Sequence, residues 1–332
     1  MKLPKLNNLT EEQKEVIDSD GNFAVFGGAG TGKTMVAIWR HIYNIKAGKK
    51  SYLITFTHTL TYFLDNLVNQ EITNNNINNA DSFIKNLKNS KIGDIQELII
   101  DESQDLSFEK YHNIIKKVGL EVSFGVDDNQ HLYQNTTTQQ KLEQFYNPKT
   151  IKELTFSFRN GFNILILVKT LFPSYGITDK MINYAKKYYM FENIPHLIIY
   201  KKEDIFLDYL KKTISSIPQD NSIGILVPTT KLMDIYREIL NEYLGNENYT
   251  SYNYFDLGNI RNIGIKRIHL TTFHSSKGLE FDYVIIPEFH NFSVNNQYYV
   301  GLTRAKIGLN LFSYNLNPLS QIDNKLYNLV EI

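Results

Sequence analysis

The sequence predicts an α/β protein with two mostly parallel sheets flanked by helices, arranged as two consecutive domains. Three observations carry that expectation. Short apolar or β-branched runs alternate with segments of helical spacing along the chain. A glycine-rich turn lies between the first such run and the first long amphipathic segment. The chain has 332 residues, and at roughly 150 residues per domain that length suits two cores.

In the first half, residues 23–26, 52–56, 98–100, 122–126 and 154–156 read as buried strands of a mostly parallel sheet. In the second half, residues 197–200, 223–227, 268–272, 284–286 and 309–312 repeat the pattern, and residues 205–217 and 231–244 have helical spacing. The asparagine-rich run 74–79 reads as a surface loop. The junction is expected between residues 159 and 187, where Pro173, Ser174 and Gly176 interrupt the periodicity, giving domains 1–160 and 161–332.

Composition narrows the chemistry. The chain is 42% hydrophobic and 21% charged, which disfavours wholesale disorder and fibrous architectures. Its 35 basic residues balance 35 acidic ones, so nucleic-acid binding would need a local groove rather than a cationic field. The absence of cysteine excludes disulfides, thiolate zinc sites and cysteine-ligated clusters, and suits a reducing compartment. The first residues lack an apolar signal core, and no run reaches the roughly 18 apolar residues of a membrane span, so the expected location is the cytoplasm, with no membrane partner.

The strongest chemical signal is Gly27, Gly28, Ala29, Gly30, Thr31, Gly32, Lys33 and Thr34, which fits G-x-x-x-x-G-K-[ST] between a strand and a helix. Glycines let backbone N–H groups face phosphates, Lys33 reaches β/γ-phosphates, and Thr34 offers a hydroxyl to Mg²⁺. Asp101 and Glu102 follow a strand, where ligands of open α/β sheets collect: Asp101 suits a metal and Glu102 a water. A solvated turn is the alternative for such acids, and the phosphate loop tips the balance toward the site. Gln130 ends a further strand, either as a γ-phosphate or water sensor or as a turn amide.

With the segments 271–282 and 299–306, these motifs resemble superfamily 1 helicases of the UvrD/Rep type, from Leu9 to about Lys306. The resemblance implies two RecA-like P-loop domains that hydrolyse ATP with Mg²⁺ in the cleft between them. It implies that Gln13, in a Q-like motif, reads adenine; Thr10 and Gln13 also have the spacing of a capping box, and both readings stand. Phe56, Thr57 and His58 look like motif Ia, a nucleic-acid-contacting loop, with Phe56 either a base platform or a strand-end core residue. Ala80 to Phe83 is a weak echo of motif Ib. Residues 154–160 are similar to motif IV, so Phe158 would replace the more usual tyrosine against adenine and Arg159 would touch the γ-phosphate. Residues 271–282 match motif V, with Glu280 facing the nucleotide and Thr272 to His274 facing the strand, and Arg304 sits where motif VI places an arginine finger.

Departures from the family shape the functional expectation. The stretches from Phe56 to Asp101 and from Arg159 to Thr271 are too short for the large accessory subdomains of typical members. Asn135 stands where relatives commonly present a tryptophan, a loss of roughly 1–3 kcal/mol of base stacking. The expected activity is therefore an ATP-dependent single-stranded DNA translocase or helicase moving 3′→5′, with RNA not excluded, acting with a protein partner in a larger assembly. The alternative is a nucleotide-gated switch ATPase that binds a protein without productive unwinding. An unrelated P-loop kinase ranks below both, because it leaves the motif V and VI matches unexplained.

Overall fold

The computed structural model describes residues 3–73, 75–89, 94–117, 119–132, 137–188, 193–252 and 264–332. Asn74 and Asn135 lie outside the described residues. The chain divides into two compact units, Met1–Thr155 and Phe156–Ile332.

Unit 1 begins with α1 (Glu11–Ile17), β1 (Phe23–Phe26), α2 (Lys33–Lys46), β2 (Ser51–Thr55), α3 (His58–Val68), β3 (Ile77–Asn79) and α4 (Ala80–Lys88). It continues with β4 (Glu97–Ile100), a π turn (Phe108–His112) leading into α5 (Asn113–Lys117), β5 (Val122–Val126), α6 (Gln139–Tyr146) and β6 (Thr150–Glu153). The strands run in the order β3-β2-β4-β5-β1-β6, every neighbour parallel. Both faces of the sheet are covered at its centre, which is why the inner strands β1, β2, β4 and β5 are buried along almost their whole length, whereas the edge strand β6 alternates. Phe23, Val25 and Ile99 join one core with Val36, Ile38 and Leu64, while Ala24, Leu98, Ile100 and Phe124 join another with Phe83 and Tyr111.

The amino ends of these strands carry a buried ion pair. Arg40 on α2 places Nε 3.1 Å from Glu97, the first residue of β4. The guanidinium also donates to the carbonyls of Ile17, Ser19 and Gly21, and Asn44 and Ser123 both donate to the Glu97 carboxylate. The network ties α1, α2, β4 and β5 together at the sheet end opposite the glycine-rich loop. Its satisfied hydrogen bonds offset the cost of burying two charges.

Unit 2 contains α7 (Phe162–Leu171), α8 (Asp179–Tyr188), β7 (His196–Tyr200), α9 (Glu203–Ser216), β8 (Ile223–Val227), α10 (Thr230–Leu244) and β9 (Tyr249–Ser251). It ends with β10 (Ile268–Thr272), β11 (Phe281–Ile286), α11 (Asn296–Leu302), β12 (Ala305–Tyr314) and β13 (Asn328–Glu331). The order is β13-β7-β12-β11-β8-β10-β9, again parallel at every described pairing. Phe206, Leu210, Met233 and Tyr236 of α9 and α10 pack on Ile198, Ile225 and Phe312 of the sheet. No described helix is long and apolar enough to cross a membrane.

Two expectations about elements are corrected. The apolar run 154–156 is not a strand: β6 is the preceding Thr150–Glu153, because β1, its only ladder partner among the described residues, ends at Phe26 opposite Glu153. Part of the asparagine-rich run is not a loop, since Ile77–Asn79 pairs with β2 as an edge strand. Polar residues are tolerated there because Asn76 donates to the Ser51 carbonyl, while the Asn79 side chain donates to the Phe56 carbonyl and accepts from Asp81 N–H to cap α4. The short edge strands β9 and β13 carry too weak a pattern to be read from sequence.

The Arg40–Glu97 network yields a stability prediction. Glu97→Ala leaves the buried guanidinium without its counter-charge and is expected to cost unit 1 about 3–5 kcal/mol, read as a lowered urea midpoint. An unchanged midpoint would show that the network is not what joins α2 to the sheet.

Candidate active site

Strands β4, β5 and β1 are adjacent and parallel, with Ile100 opposite Phe124 and Val25 opposite Gly125. Their carboxyl ends therefore deliver Gly27–Gly32, Asp101–Glu102 and Asp127–Gln130 to one place. The glycine-rich loop needs its glycines for stereochemical reasons. At Gly27 (φ 149°) a Cβ would lie 2.6 Å from the Leu154 carbonyl oxygen, and at Gly32 (φ 92°) it would lie 2.3 Å from Gln13 Nε2. Thr31 Oγ1 donates to the Gly28 carbonyl at 3.0 Å and closes the loop, with Ala29 buried within it and Gly30 also at positive φ. Gln13 is buried; its Oε1 accepts from Thr10 N–H at 3.0 Å, and its Nε2 donates to the Thr31 carbonyl at 3.1 Å. The capping box and the contact with the phosphate loop thus coexist.

Lys33, the first residue of α2, folds its ammonium back onto the Gly27 and Gly28 carbonyls at 2.7 and 3.0 Å, with Asp127 Oδ2 at 3.4 Å. Thr34 Oγ1 donates to Asp101 Oδ2 at 2.9 Å, and Asp101 Oδ1 is buried with no hydrogen-bond partner. Burial and the neighbouring Glu102 push the Asp101 carboxyl up to about 7, against the opposing pull of Thr34 and Lys33. A hydroxyl–carboxylate pair with an orphaned buried oxygen fits a hard divalent cation, which would restore the ionised form. Among the described residues no group of three or more His, Asp or Glu side chains is placed to hold a metal.

Glu102 adopts a left-handed backbone (φ 54°, ψ 45°), a conformation that costs a non-glycine residue about 1–3 kcal/mol. Gln104 Nε2 donates to its carboxylate at 2.6 Å, while Gln104 Oε1 accepts from Asp127 N–H at 3.2 Å. Gln130 Nε2 donates to Asp127 Oδ2 at 2.7 Å. Asp127 therefore links Lys33 to Gln130, and Gln104 links the acidic loop to the next one. Neither was singled out from sequence; only the sheet register, which brings the carboxyl end of β5 beside that of β4, reveals them.

The expected nucleic-acid residues of unit 1 sit at the end of β2. Phe56 is half-buried with its ring edge-on to Tyr111, 6.5 Å between centroids. Thr57 caps α3 by accepting from Leu60 N–H, and His58 opens that helix.

In unit 2, Thr272 Oγ1 bonds Ser275 in a tight turn that also carries the half-buried His274. Glu280, just before β11, accepts from Arg159 Nε at 3.0 Å and pairs with Lys306 at 2.6 Å. Arg304 is buried, with its guanidinium donating to the Val300 and Leu279 carbonyls and to Thr303 Oγ1. Asn160, also buried, donates to the carbonyls of Thr303 and Ala305 on either side of Arg304, at 3.0 and 2.6 Å. Phe158 packs edge-on against Tyr184, 5.3 Å between centroids. Arg159, Glu280 and Arg304 thus share one stitched region, and Asn160 holds it together.

Comparison with known families bears on the class. A model of the UvrD-like helicase C-terminal domain matches residues 267–312, and an AAA domain model matches residues 13–136. These matches support a UvrD-like protein of the superfamily 1 helicase type. Among solved structures, S. cerevisiae Dbp5 bound to RNA and ADP BeF3 is similar at a TM-score of 0.61 and 12% identity, covering 98% of this chain and 91% of that one. A single-residue variant of Dbp5 with the same ligands gives 0.58 and 12%, covering 100% and 96%. Comparison with curated protein sequences finds no match.

The chain accordingly has two RecA-like α/β units, and the two family matches support a nucleic-acid-stimulated ATPase. The first matched stretch spans Gln13, the phosphate loop, Phe56 to His58, Asp101, Glu102 and Gln130; the second spans Thr272, His274, Glu280 and Arg304. Phe158, Arg159 and Asn160 lie between them, so their placement rests on geometry.

Asn160→Ala would leave the Thr303 and Ala305 carbonyls without their donor. A loss of about 1–3 kcal/mol from unit 2 is expected, accompanied by a fall in ATPase rate. Wild-type denaturation and turnover would show that the stitch around Arg304 is dispensable.

Proposed function

We propose that this UvrD-like ATPase translocates 3′→5′ along single-stranded DNA in the cytoplasm, driven by Mg²⁺-dependent ATP hydrolysis and working with a protein partner in a larger assembly. The observation that carries the nucleotide reading is the Thr34–Asp101 pair, with its orphaned buried carboxylate oxygen, beside Lys33 at the end of the phosphate loop.

The residues divide the work. Lys33 exchanges its carbonyl partners for β/γ-phosphate oxygens, and the loop N–H groups at the start of α2 face the same phosphates. Thr34 and Asp101 hold Mg²⁺, which when bound neutralises charge developing on the phosphate oxygens. Glu102 and Gln130 orient the attacking water; as its oxygen bonds the γ-phosphorus and the bond to the ADP oxygen breaks, Glu102 takes the released proton. Arg159 and Arg304 supply positive charge to the transferred group, a contribution that reaches about 10³–10⁵ in rate for arginine fingers elsewhere. Gln13 and Phe158 hold adenine, while Phe56, Thr57, His58, Thr272 and His274 contact the strand.

The test is steady-state ATPase of the full chain with single-stranded DNA, duplex DNA or RNA at low salt. Single-stranded DNA is expected to stimulate at least about tenfold, and Lys33→Ala to be silent under every condition. Displacement of streptavidin from a 5′-biotin but not a 3′-biotin would support the direction. Stimulation by RNA alone would replace the track, and turnover indifferent to all polymers would replace the motor with a partner-gated switch.

A further inference from the structure

One carboxylate in unit 2 carries two cations. Glu280 has Arg159 Nε 3.0 Å from Oε2 and Lys306 Nζ 2.6 Å from Oε1, and the Glu280 side chain is only 14% exposed. Burial alone would raise its carboxyl, but Arg159 and Lys306 outweigh that and hold it below the ordinary carboxylate range. Two positive charges on one negative leave a net positive charge and one partner more than the carboxylate needs.

The two cations are mounted differently. Phe281 pairs with Ala305 across the β11–β12 ladder, so Glu280 and Lys306 are neighbours by sheet register. Arg159 stands on a connecting segment whose backbone is pinned by Asn160 and by Gly161 N–H to the Lys306 carbonyl at 2.9 Å. Its side chain can therefore change partner without movement of the chain. Its planar, forked guanidinium also suits phosphate oxygens better than an ammonium does.

We propose that Arg159, Glu280 and Lys306 form an ion-pair exchange: as charge develops on the transferred phosphoryl group, Arg159 leaves Glu280 for a phosphate oxygen, and Lys306 remains as the counter-charge that keeps the buried carboxylate ionised. Lys306 is thus a positioning residue that acts through Glu280 and Arg159. The inference rests on the reading of Arg159 as a phosphate ligand. Without Lys306, departure of Arg159 would strand a buried carboxylate, so the arginine would be retained on Glu280 and unavailable to the phosphate.

The experiment compares kcat and KM for ATP in the full chain with its stimulating polymer at saturation. Lys306→Met is expected to lower kcat by about tenfold or more with KM changed by less than about twofold. Lys306→Arg is expected to restore kcat to within about twofold, since it supplies the same charge. In a Glu280→Gln background, where no carboxylate needs compensation, adding Lys306→Met should cost nothing further. Should Lys306→Met fail to fold, Lys306→Gln carries the same comparison. Wild-type kcat in the single variant, or the same loss in the Glu280→Gln background, would overturn the exchange. Arg159→Ala separates the two levels. Full activity of that variant defeats the phosphate-ligand reading itself, whereas its loss beside an unaffected Lys306→Met rejects only the exchange.

Discussion

Parallel pairing of β4, β5 and β1 is the constraint on which the nucleotide site depends. In a parallel sheet every carboxyl end points the same way, and a register that sets Ile100 against Phe124 and Val25 against Gly125 brings their following loops level. Lys33, the adjacent Asp101 and Glu102, and Asp127 come from three distant stretches of the chain, yet each needs only one or two residues beyond its strand or loop to reach the others. The Arg40–Glu97 network serves the same end from the opposite edge. It fixes α2 to β4 and β5, so the helix that begins with Lys33 and Thr34 cannot slide against the strands that supply Asp101 and Asp127.

Charge is held in reserve at both candidate regions. Lys33 is lodged on two carbonyls and Asp127, and Asp101 is pushed up to about 7 with one oxygen unpartnered. Asp101 is desolvated and incompletely matched, and Lys33 is held mainly by neutral carbonyls, so a divalent cation at the one and a phosphate at the other are accommodated at low reorganisation cost. Glu280 shows the converse in unit 2, a carboxylate with a surplus of cations. In each case burial strengthens the electrostatics, while the local hydrogen bonds keep the unsatisfied charge in place. The left-handed backbone of Glu102 belongs to the same economy, since Gln104 and Asp127 hold that strained turn in position.

Polar interactions also define what each unit's connecting segments do. Asn160 contacts backbone on both sides of Arg304 and Gly161 bonds the Lys306 carbonyl, so the segment carrying Phe158 and Arg159 is fixed to the amino end of β12 rather than being a free linker. The asparagines that open α4 act likewise, with Asn79 serving as strand residue, bridge to Phe56 and helix cap at once. Short polar side chains at strand ends are effective in this role because they satisfy backbone groups that the ladder leaves open.

The sequence by itself determined the α/β class, most strand positions and the phosphate loop, because these rest on local signals: hydrophobic periodicity, the glycines required by positive φ, and a fixed motif spacing. Gln13, Lys33, Thr34, Asp101 and Glu102 were legible for that reason. Tertiary structure alone decided which partners those residues have. Asp127, Gln104, Asn160 and Lys306 gain meaning only through sheet register and loop contacts between distant segments, and no local pattern encodes those. The same distinction explains the elements that sequence missed. The residues of β3 look like a loop and those of β9 and β13 are too few to show a period, since an edge strand is specified by the neighbour it pairs with. The run 154–156 looks like a strand, but beyond the Leu154 N–H bond to the Phe26 carbonyl it has no ladder partner among the described residues, because β1 ends at Phe26.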